Sequence, residues 1–482
     1  MAPPDSSAKV QAAPSASAIL LVFLLYVAGT SCNWGFLSWW GLPLVLSAAA
    51  LAFWFHVRPR WNGPSPEALL TGIFIAFVAS NCWLQTGQAQ VLLAPKQGWT
   101  WPQALASEML TAPGIAIKVL SGAALLLAAS YLSRSAGWIA RRRFAALILI
   151  AIAVRMLILI STPPPVIDLK MEVFRSQSAA GAGLLQGENV YTMIRMKRIP
   201  SPYEPDKPIA NYAYPPSVIY CNCISWLLFK DVRAAWAILD VLAALLMYAL
   251  ARRCNPGEKG ERLCQLLPLT FLFLPRSLFV IEQSWTEPLV VVSMAGFALA
   301  AESGRWPALT GGLLGLWLSS KQYVALAIPM ILKLRRWRLT TWICAVAVGL
   351  ALVLPFAVWD FRAMMENVLY FFLKSPARGD ALSLYGFAVA LGVSPSAGWI
   401  GAAAACLWIG ALAWFTWKMP RNLPGMLFAA AGMWIFFFLF GKQAFANYFY
   451  LVGFTLLLAV AASPGAAEDS TPGRADESSR AQ

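Results

Sequence analysis

The sequence predicts an all-α fold, a polytopic transmembrane helical bundle, and three observations lead there. Of 482 residues, 59% are hydrophobic and only 12% are charged, about half the roughly 25% charged share of an ordinary soluble domain. Apolar runs such as 18–28, 42–55 and 144–160 suit a bilayer better than a soluble core. Lys and Arg fall in small clusters between these runs, not along one face interleaved with aromatics. The formal charge of +15 therefore reads as a topology signal and excludes a nucleic-acid partner.

A helix needs about 20 apolar residues to cross ~30 Å of hydrocarbon. Residues 1–16, rich in Ala, Pro and Ser, are expected to be disordered. Residues 17–140 hold four accessory spans, near 17–33, 40–57, 66–84 and 113–132. The first lacks a strongly basic leader and reads as a span, not a cleaved signal. A fifth span near 144–161 opens the main membrane segment, 141–462. Residues 161–211 are polar and proline-rich, cannot cross, and form a large outer loop. Spans near 233–252, 263–281, 286–301, 339–358, 397–417, 424–440 and 447–462 bring the expected total to about 12. Residues 463–482, rich in Gly, Pro, Ser and acids, are expected to be a disordered tail.

Two segments must fail to cross if the basic clusters are to stay on the cytoplasmic side. Those clusters are Arg58 and Arg60, Arg141 to Arg143, Arg252 to Arg262, Lys333 to Arg338, and Lys418 with Arg421. Segment 214–229, opened by Tyr214-Pro215-Pro216, is expected to lie along the outer interface, with proline in its first turn. Segment 307–332 is expected to be a re-entrant hairpin broken near Ser319-Ser320-Lys321-Gln322, because each half is only about 12 residues, ~18 Å of helix.

This arrangement gathers Asp168, Glu172, Arg175, Arg276, Glu282, Glu287, Lys321, Arg378, Asp380 and Lys442 into one extracytoplasmic pocket. Ionisable groups at membrane depth are costly unless paired or hydrated, so Glu282, Glu287, Lys321 and Lys442 become functional candidates, with structural ion pairing as the alternative. The single histidine, His56, excludes a His-rich metal site and reads as a residue snorkelling at a span end. The eight cysteines lie mostly in apolar runs and suggest no disulfide framework. Cys221 and Cys223 have the spacing of neither a zinc knuckle nor a redox pair.

Pro163-Pro164-Pro165-Val166-Ile167-Asp168 follows the fifth span directly. An extended proline segment would hold the Asp168 carboxylate at a set height above the membrane. Such a carboxylate can deprotonate a hydroxyl that attacks a sugar carbon bearing phosphate. One base suffices, because phosphate leaves without a general acid. Capping a helix is the plainer use of such an Asp.

Asp168, then "LLQGENVY" at 184–191, then "YAYPP" at 212–216, in this order, resemble the polyprenol-phosphate-dependent integral-membrane glycosyltransferases of the GT-C superfamily. The chain is most similar to glycosyltransferase family 87 and its mannosyltransferase-like members. Gly311 to Gly315 leading to Lys321-Gln322, and "QAFANYFY" at 443–450, extend the resemblance over roughly 144 to 462, leaving the four accessory spans outside it. The resemblance implies a polyprenyl-phosphate-linked sugar donor and a lipid, glycan or protein acceptor. It implies an active site outside the cell membrane and inversion at the anomeric carbon with Asp168 as base. It places Lys321 and Lys442, then Arg276 and Arg378, at the donor phosphate. Glu282, Gln283, Trp285, Glu287, Gln322, Tyr214 and Asn447 fall at the sugar or acceptor, although Trp285 can equally be an interface anchor. The motif has Glu172 but no second acid next to Asp168, so the acid pair of metal-dependent relatives is not present as such, and no metal and no cofactor is expected. A lipid or solute transporter is the rival reading, because intramembrane charges and broken helices also mark transporters. The sequence lacks the internal repeat such folds carry. A structural subunit of an envelope assembly, needing no catalytic Asp, is the third.

Overall fold

The computed structural model describes residues 12–32, 36–61, 63–84, 112–133, 138–165, 167, 171–195, 211–335, 337–394 and 398–464. Among them the secondary structure is helical, with one isolated antiparallel bridge between Phe36 and Ala381. The first five apolar runs form α1 (Ala16–Ser31), α2 (Gly41–Val57), α3 (Pro66–Leu84), α4 (Ala112–Ala129) and α5 (Trp138–Ser161). Next come α6 (Glu172–Leu185), α7 (Val190–Arg195), α8 (Pro216–Phe229), α9 (Arg233–Cys254), α10 (Glu258–Leu272), α11 (Ser277–Glu282) and α12 (Glu287–Ser303). The broken segment is α13 (Pro307–Ser320), a 3₁₀ turn at Gln322–Ala327 and α14 (Ile328–Leu334). Then α15 (Leu339–Met365) runs through a π turn, Glu366–Tyr370, into α16 (Phe371–Lys374). The chain ends in α17 (Leu384–Ala390), α18 (Gly398–Lys418), α19 (Leu423–Leu439) and α20 (Ala446–Ala461).

Five helical segments are long and apolar enough to cross a membrane: Ala112–Leu132, Arg141–Ser161, Arg233–Cys254, Leu339–Lys374 and Gly398–Lys418. Their outward faces carry exposed apolar side chains such as Leu126, Ile160, Val358 and Leu407, as lipid contact requires. α1, α2, α8, α19 and α20 are shorter apolar helices. The boundary near residue 140 marks no break in packing. α1 lies on α20, α2 on α19 and α3 on α10, and one apolar core runs from Ala16 to Ala462.

The basic clusters meet at one pole. Arg262 pairs with Glu67 at 2.9 Å, Arg143 donates to the Ser130 carbonyl and stacks on Tyr131, and Lys333 donates to the Thr416 and Trp417 carbonyls. Arg335 donates to the Ala301 carbonyl at 2.8 Å. The chain leaves α12 beside Ala301 and is back there at Arg335, so segment 307–334 folds back on itself.

Four expectations are corrected. Residues 263–281 are not one helix: α10 stops at Leu272, and Arg276 takes a left-handed conformation (φ 70°) before α11. The break is tolerated because Phe273 and Leu274 are buried in protein. The span expected to end near 358 continues as helix through residues 359–374. Pro355 and a non-helical Asp360 bend α15, and the Asp360 side chain restarts it by accepting from the Ala363 amide. His56 does not snorkel: it is buried between Phe415 and Phe428, its Nδ1 at 3.0 Å from the Ala52 carbonyl. Ser15, at the end of the stretch expected to be disordered, caps α1 and donates its amide to Pro59. The tail from 465 onward lies outside the described residues. All eight cysteines are free.

Gly311 and Gly315 let α13 approach α15 closely, because a Cβ at either would overlap the Thr341 or Ala345 carbonyl. Gly315→Val is expected to destabilise the detergent-solubilised protein by about 1–3 kcal/mol, read as a lower thermal midpoint. Gly312→Ala, whose added carbon would sit 3.7 Å from Val348, leaves the midpoint unchanged; equal loss from both would sink this account.

Candidate functional site

The break in the hairpin and the start of α12 deliver two opposite charges to one point. Helix α13 ends at Ser320, and Lys321 is extended (φ −160°, ψ 149°). Glu287 occupies the first turn of α12, where the helix dipole favours an anion. Lys321 Nζ and Glu287 Oε1 are 2.5 Å apart, both side chains almost wholly buried. Tyr323 Oη and Asn447 Nδ2 donate to the same oxygen at 3.1 and 2.9 Å. Glu287 Oε2 is buried and has no hydrogen-bond partner among the described residues. The ammonium also sits 5.3, 5.8 and 5.9 Å from the ring centres of Tyr214, Tyr323 and Tyr448, which favours a desolvated cation. Burial and the Glu287 charge push the Tyr214 hydroxyl well above its ordinary pKa, keeping it a neutral donor.

The outer-loop motifs are tied to this point. Gly187 (φ 77°) ends α6, and Asn189 Oδ1 accepts from the Tyr191 amide to open α7. Tyr191 Oη then donates to the Tyr214 carbonyl at 2.6 Å. Gln322 Nε2 bridges the Ala213 and Val368 carbonyls at 3.0 and 2.8 Å, and Ser217 Oγ donates to the Ser319 carbonyl. On the other side Gln177 of α6 holds the turn before α12. Its Nε2 donates to the Ser284 carbonyl, and its Oε1 accepts from Trp236 and from Ser284 Oγ. Ser284 is left-handed (φ 61°), a strained state for a residue with a Cβ.

Asp168 lies outside the described residues, but its flanks are held. Arg233, fully buried, pairs with Asp231 at 2.7 Å and donates to the Thr162 carbonyl and hydroxyl. Ile167 packs with Phe174 and Val232. The prolines do not form the extended segment expected: the Ile167 amide bonds the Pro163 carbonyl, a helical turn, which proline permits at a helix start.

Beside the ion pair opens a groove of about 450 Å³. Lys321, Gln322, Lys442 and Gln443 line its polar part, and Leu369, Phe372, Trp408, Phe437 and Phe438 belong to its apolar wall. Lys442 Nζ reaches only the Leu373 and Ser375 carbonyls, at 3.2 and 3.4 Å, and forms no salt bridge among the described residues.

Of the residues singled out from the sequence, Tyr214, Glu287, Lys321, Gln322 and Asn447 converge, and Lys442 shares the groove. Lys321 does not stand open to a phosphate as expected, because Glu287 already neutralises it. Arg378 pairs with Asp380 at 2.6 Å and stacks on Phe445 outside the groove. Arg276 is buried near Thr30, Phe449 and Tyr450, away from it. Glu282 is buried, and neither it nor Gln283 nor Trp285 lines the groove. The Gln283 amide is buried without a hydrogen-bond partner among the described residues, and Trp285 meets Phe279 edge-on at 5.1 Å. Tyr323 and Tyr448 escaped the sequence reading; their adjacency to Gln322 and Asn447 was the available signal.

Glu287→Gln or Lys321→Met alone leaves a buried charge without its partner and is expected to cost about 3–5 kcal/mol of stability. The double change Glu287→Met with Lys321→Met should cost clearly less than the two single losses combined, read by unfolding in mixed micelles. Additive losses would mean that the pair is not coupled. Comparison with protein-family models, curated proteins and solved structures finds no match to this chain, so the site is read from its own geometry.

Proposed function

We propose that this chain is an integral-membrane glycosyltransferase of GT-C type, similar to family 87, that uses a polyprenyl-phosphate-linked sugar. The observation that carries the reading is the groove: a long apolar wall ending at a lysine that forms no salt bridge among the described residues, beside a polar cluster built from the very segments that carry the resemblance. An amphiphile with an apolar chain, one anionic link and a hydroxylated head matches each part. The prenyl chain would lie along Phe372, Trp408 and Phe437. The phosphate would meet Lys442, and the sugar would face Gln322, with Tyr214 and Glu287 behind Lys321. About 12 spans and an outward-facing site complete the proposal, supported by the basic pole opposite the groove.

In the proposed step an acceptor hydroxyl gives its proton to Asp168 as its oxygen bonds the anomeric carbon. The carbon–phosphate oxygen bond breaks with its electron pair, releasing polyprenyl phosphate and inverting the centre. Lys442 stabilises the leaving charge.

The test is purified protein in nanodiscs with a panel of polyprenyl-phosphate sugars, with and without chelator, read by mass spectrometry. Asp168→Asn is expected to abolish transfer while the fold persists, and Lys442→Ala to lower kcat/KM about a hundredfold. Undiminished transfer by Asp168→Asn would overturn the mechanism. Lipid movement across the bilayer without covalent product would favour the transporter instead.

A further inference from the structure

The four N-terminal helices have no role in the transfer just proposed, yet their first connection reaches the loops around the groove. Phe36 and Ala381 form an antiparallel bridge, and the Leu37 amide donates to the Asp380 carbonyl at 2.9 Å. The strip continues inward. The Arg378 amide bonds the Lys442 carbonyl and the Leu382 amide bonds the Ala444 carbonyl, each at 3.1 Å. Two ring contacts brace it: Phe36 against Phe445 at 5.8 Å and Trp39 against Phe387 at 5.5 Å. Three short non-helical pieces, near 36–37, 378–382 (turning at 379–380, where the Ala381 amide bonds the Arg378 carbonyl) and 442–444, thus lie side by side, and the innermost carries Lys442.

The outer piece is anchored on rigid elements. Gly29 of α1 and Gly41 of α2 meet just below the connection, where a Cβ would come within 2.7 Å of the Gly41 carbonyl or 2.5 Å of the Gly29 carbonyl. Phe23 and Val27 of α1 pack at ordinary contact distance from the Gly453 position of α20. The loops themselves are irregular between short helices. Holding a side chain on such a loop costs conformational entropy unless neighbours order it beforehand.

We infer that the α1–α2 connection is a clamp that orders the loops 378–383 and 441–444 and so positions Lys442 for an anionic lipid headgroup. Leu37, Phe36 and Trp39 are positioning residues, acting through the loop and not touching ligand. The ligand part of the inference rests on the donor reading above; the clamp does not.

The test uses the full chain in nanodiscs. In Leu37→Pro, which removes the amide donor, amides of 378–383 and 441–444 are expected to exchange hydrogen at least about tenfold faster, with α9 and α12 unchanged. Leu37→Ala keeps the donor and should keep the protection. Phe36→Ala and Trp39→Ala provide the same reading should the proline variant fail to fold. Polyprenyl phosphate without sugar is then titrated: Leu37→Pro should weaken binding about tenfold, and should weaken it no further when Lys442→Ala is already present. Unchanged exchange in all the variants overturns the clamp. Equal weakening with and without Lys442 overturns the positioning of that lysine. Absence of binding by the unsubstituted chain, with exchange behaving as expected, refutes the donor reading and leaves the clamp standing.

Discussion

The constraint on which the site depends is that a carboxylate and an ammonium buried among apolar helices must find each other. Glu287 and Lys321 do so at 2.5 Å, and each is delivered by an interruption of helix. The left-handed Ser284 lets the chain turn sharply into α12, and the extended Lys321 parts α13 from its 3₁₀ continuation. Neither interruption would be stable at membrane depth without polar partners to absorb it. Gln177 and Ser217 supply them, one amide on the Ser284 carbonyl and one hydroxyl on the Ser319 carbonyl. Helices α6 and α8 are thereby fixed to the core by the same bonds that make room for the charges.

A second buried pair shows what a purely structural solution looks like. Arg155 meets Asp240 at 2.5 Å and donates as well to the Ala151 and Leu272 carbonyls, while Tyr450 donates to the remaining carboxylate oxygen. Both oxygens of Asp240 are engaged, and α5, α9, α10 and α20 are tied together. Glu287 differs: three donors crowd one oxygen and leave the other bare. A half-satisfied buried carboxylate costs stability that replacement by apolar side chains would recover. Its persistence beside a groove is what sets this pair apart from Arg155–Asp240.

Apolar length made most helices legible, because in lipid the backbone has no option but the helix. The break at Lys321 was legible too, since polar residues sat between the two short apolar halves of 307–332. The failures share a cause. Polar residues after 358 mark the end of an apolar span, but Asp360 spends its carboxylate recapping the helix and accepting from Thr192, and the helix continues. The break at 273–276 is apolar and invisible to hydropathy, being defined by packing. His56 and Arg276 look like interface charges until the tertiary fold buries them. Tyr323 and Tyr448 gain meaning only from the lysine they surround, which no local pattern specifies.

Charge then separates two kinds of cation in this chain. At the basic pole Arg262 has Glu67 and Arg252 has Glu261, while Arg143 and Lys333 donate to backbone carbonyls. In the interior, Arg155, Arg233 and Lys321 each have a carboxylate. Lys442 fits neither group. It lines an apolar groove, donates to carbonyl oxygens without a salt bridge among the described residues, and is carried on an irregular loop braced from α1 and α2. An ammonium so placed raises the affinity of the groove for one class of molecule above others: an apolar chain alone gains nothing from it, and a free anion gains nothing from the wall. On the proposed reading an amphiphile with a single anionic junction uses both, and the bracing of that loop holds the lysine for it.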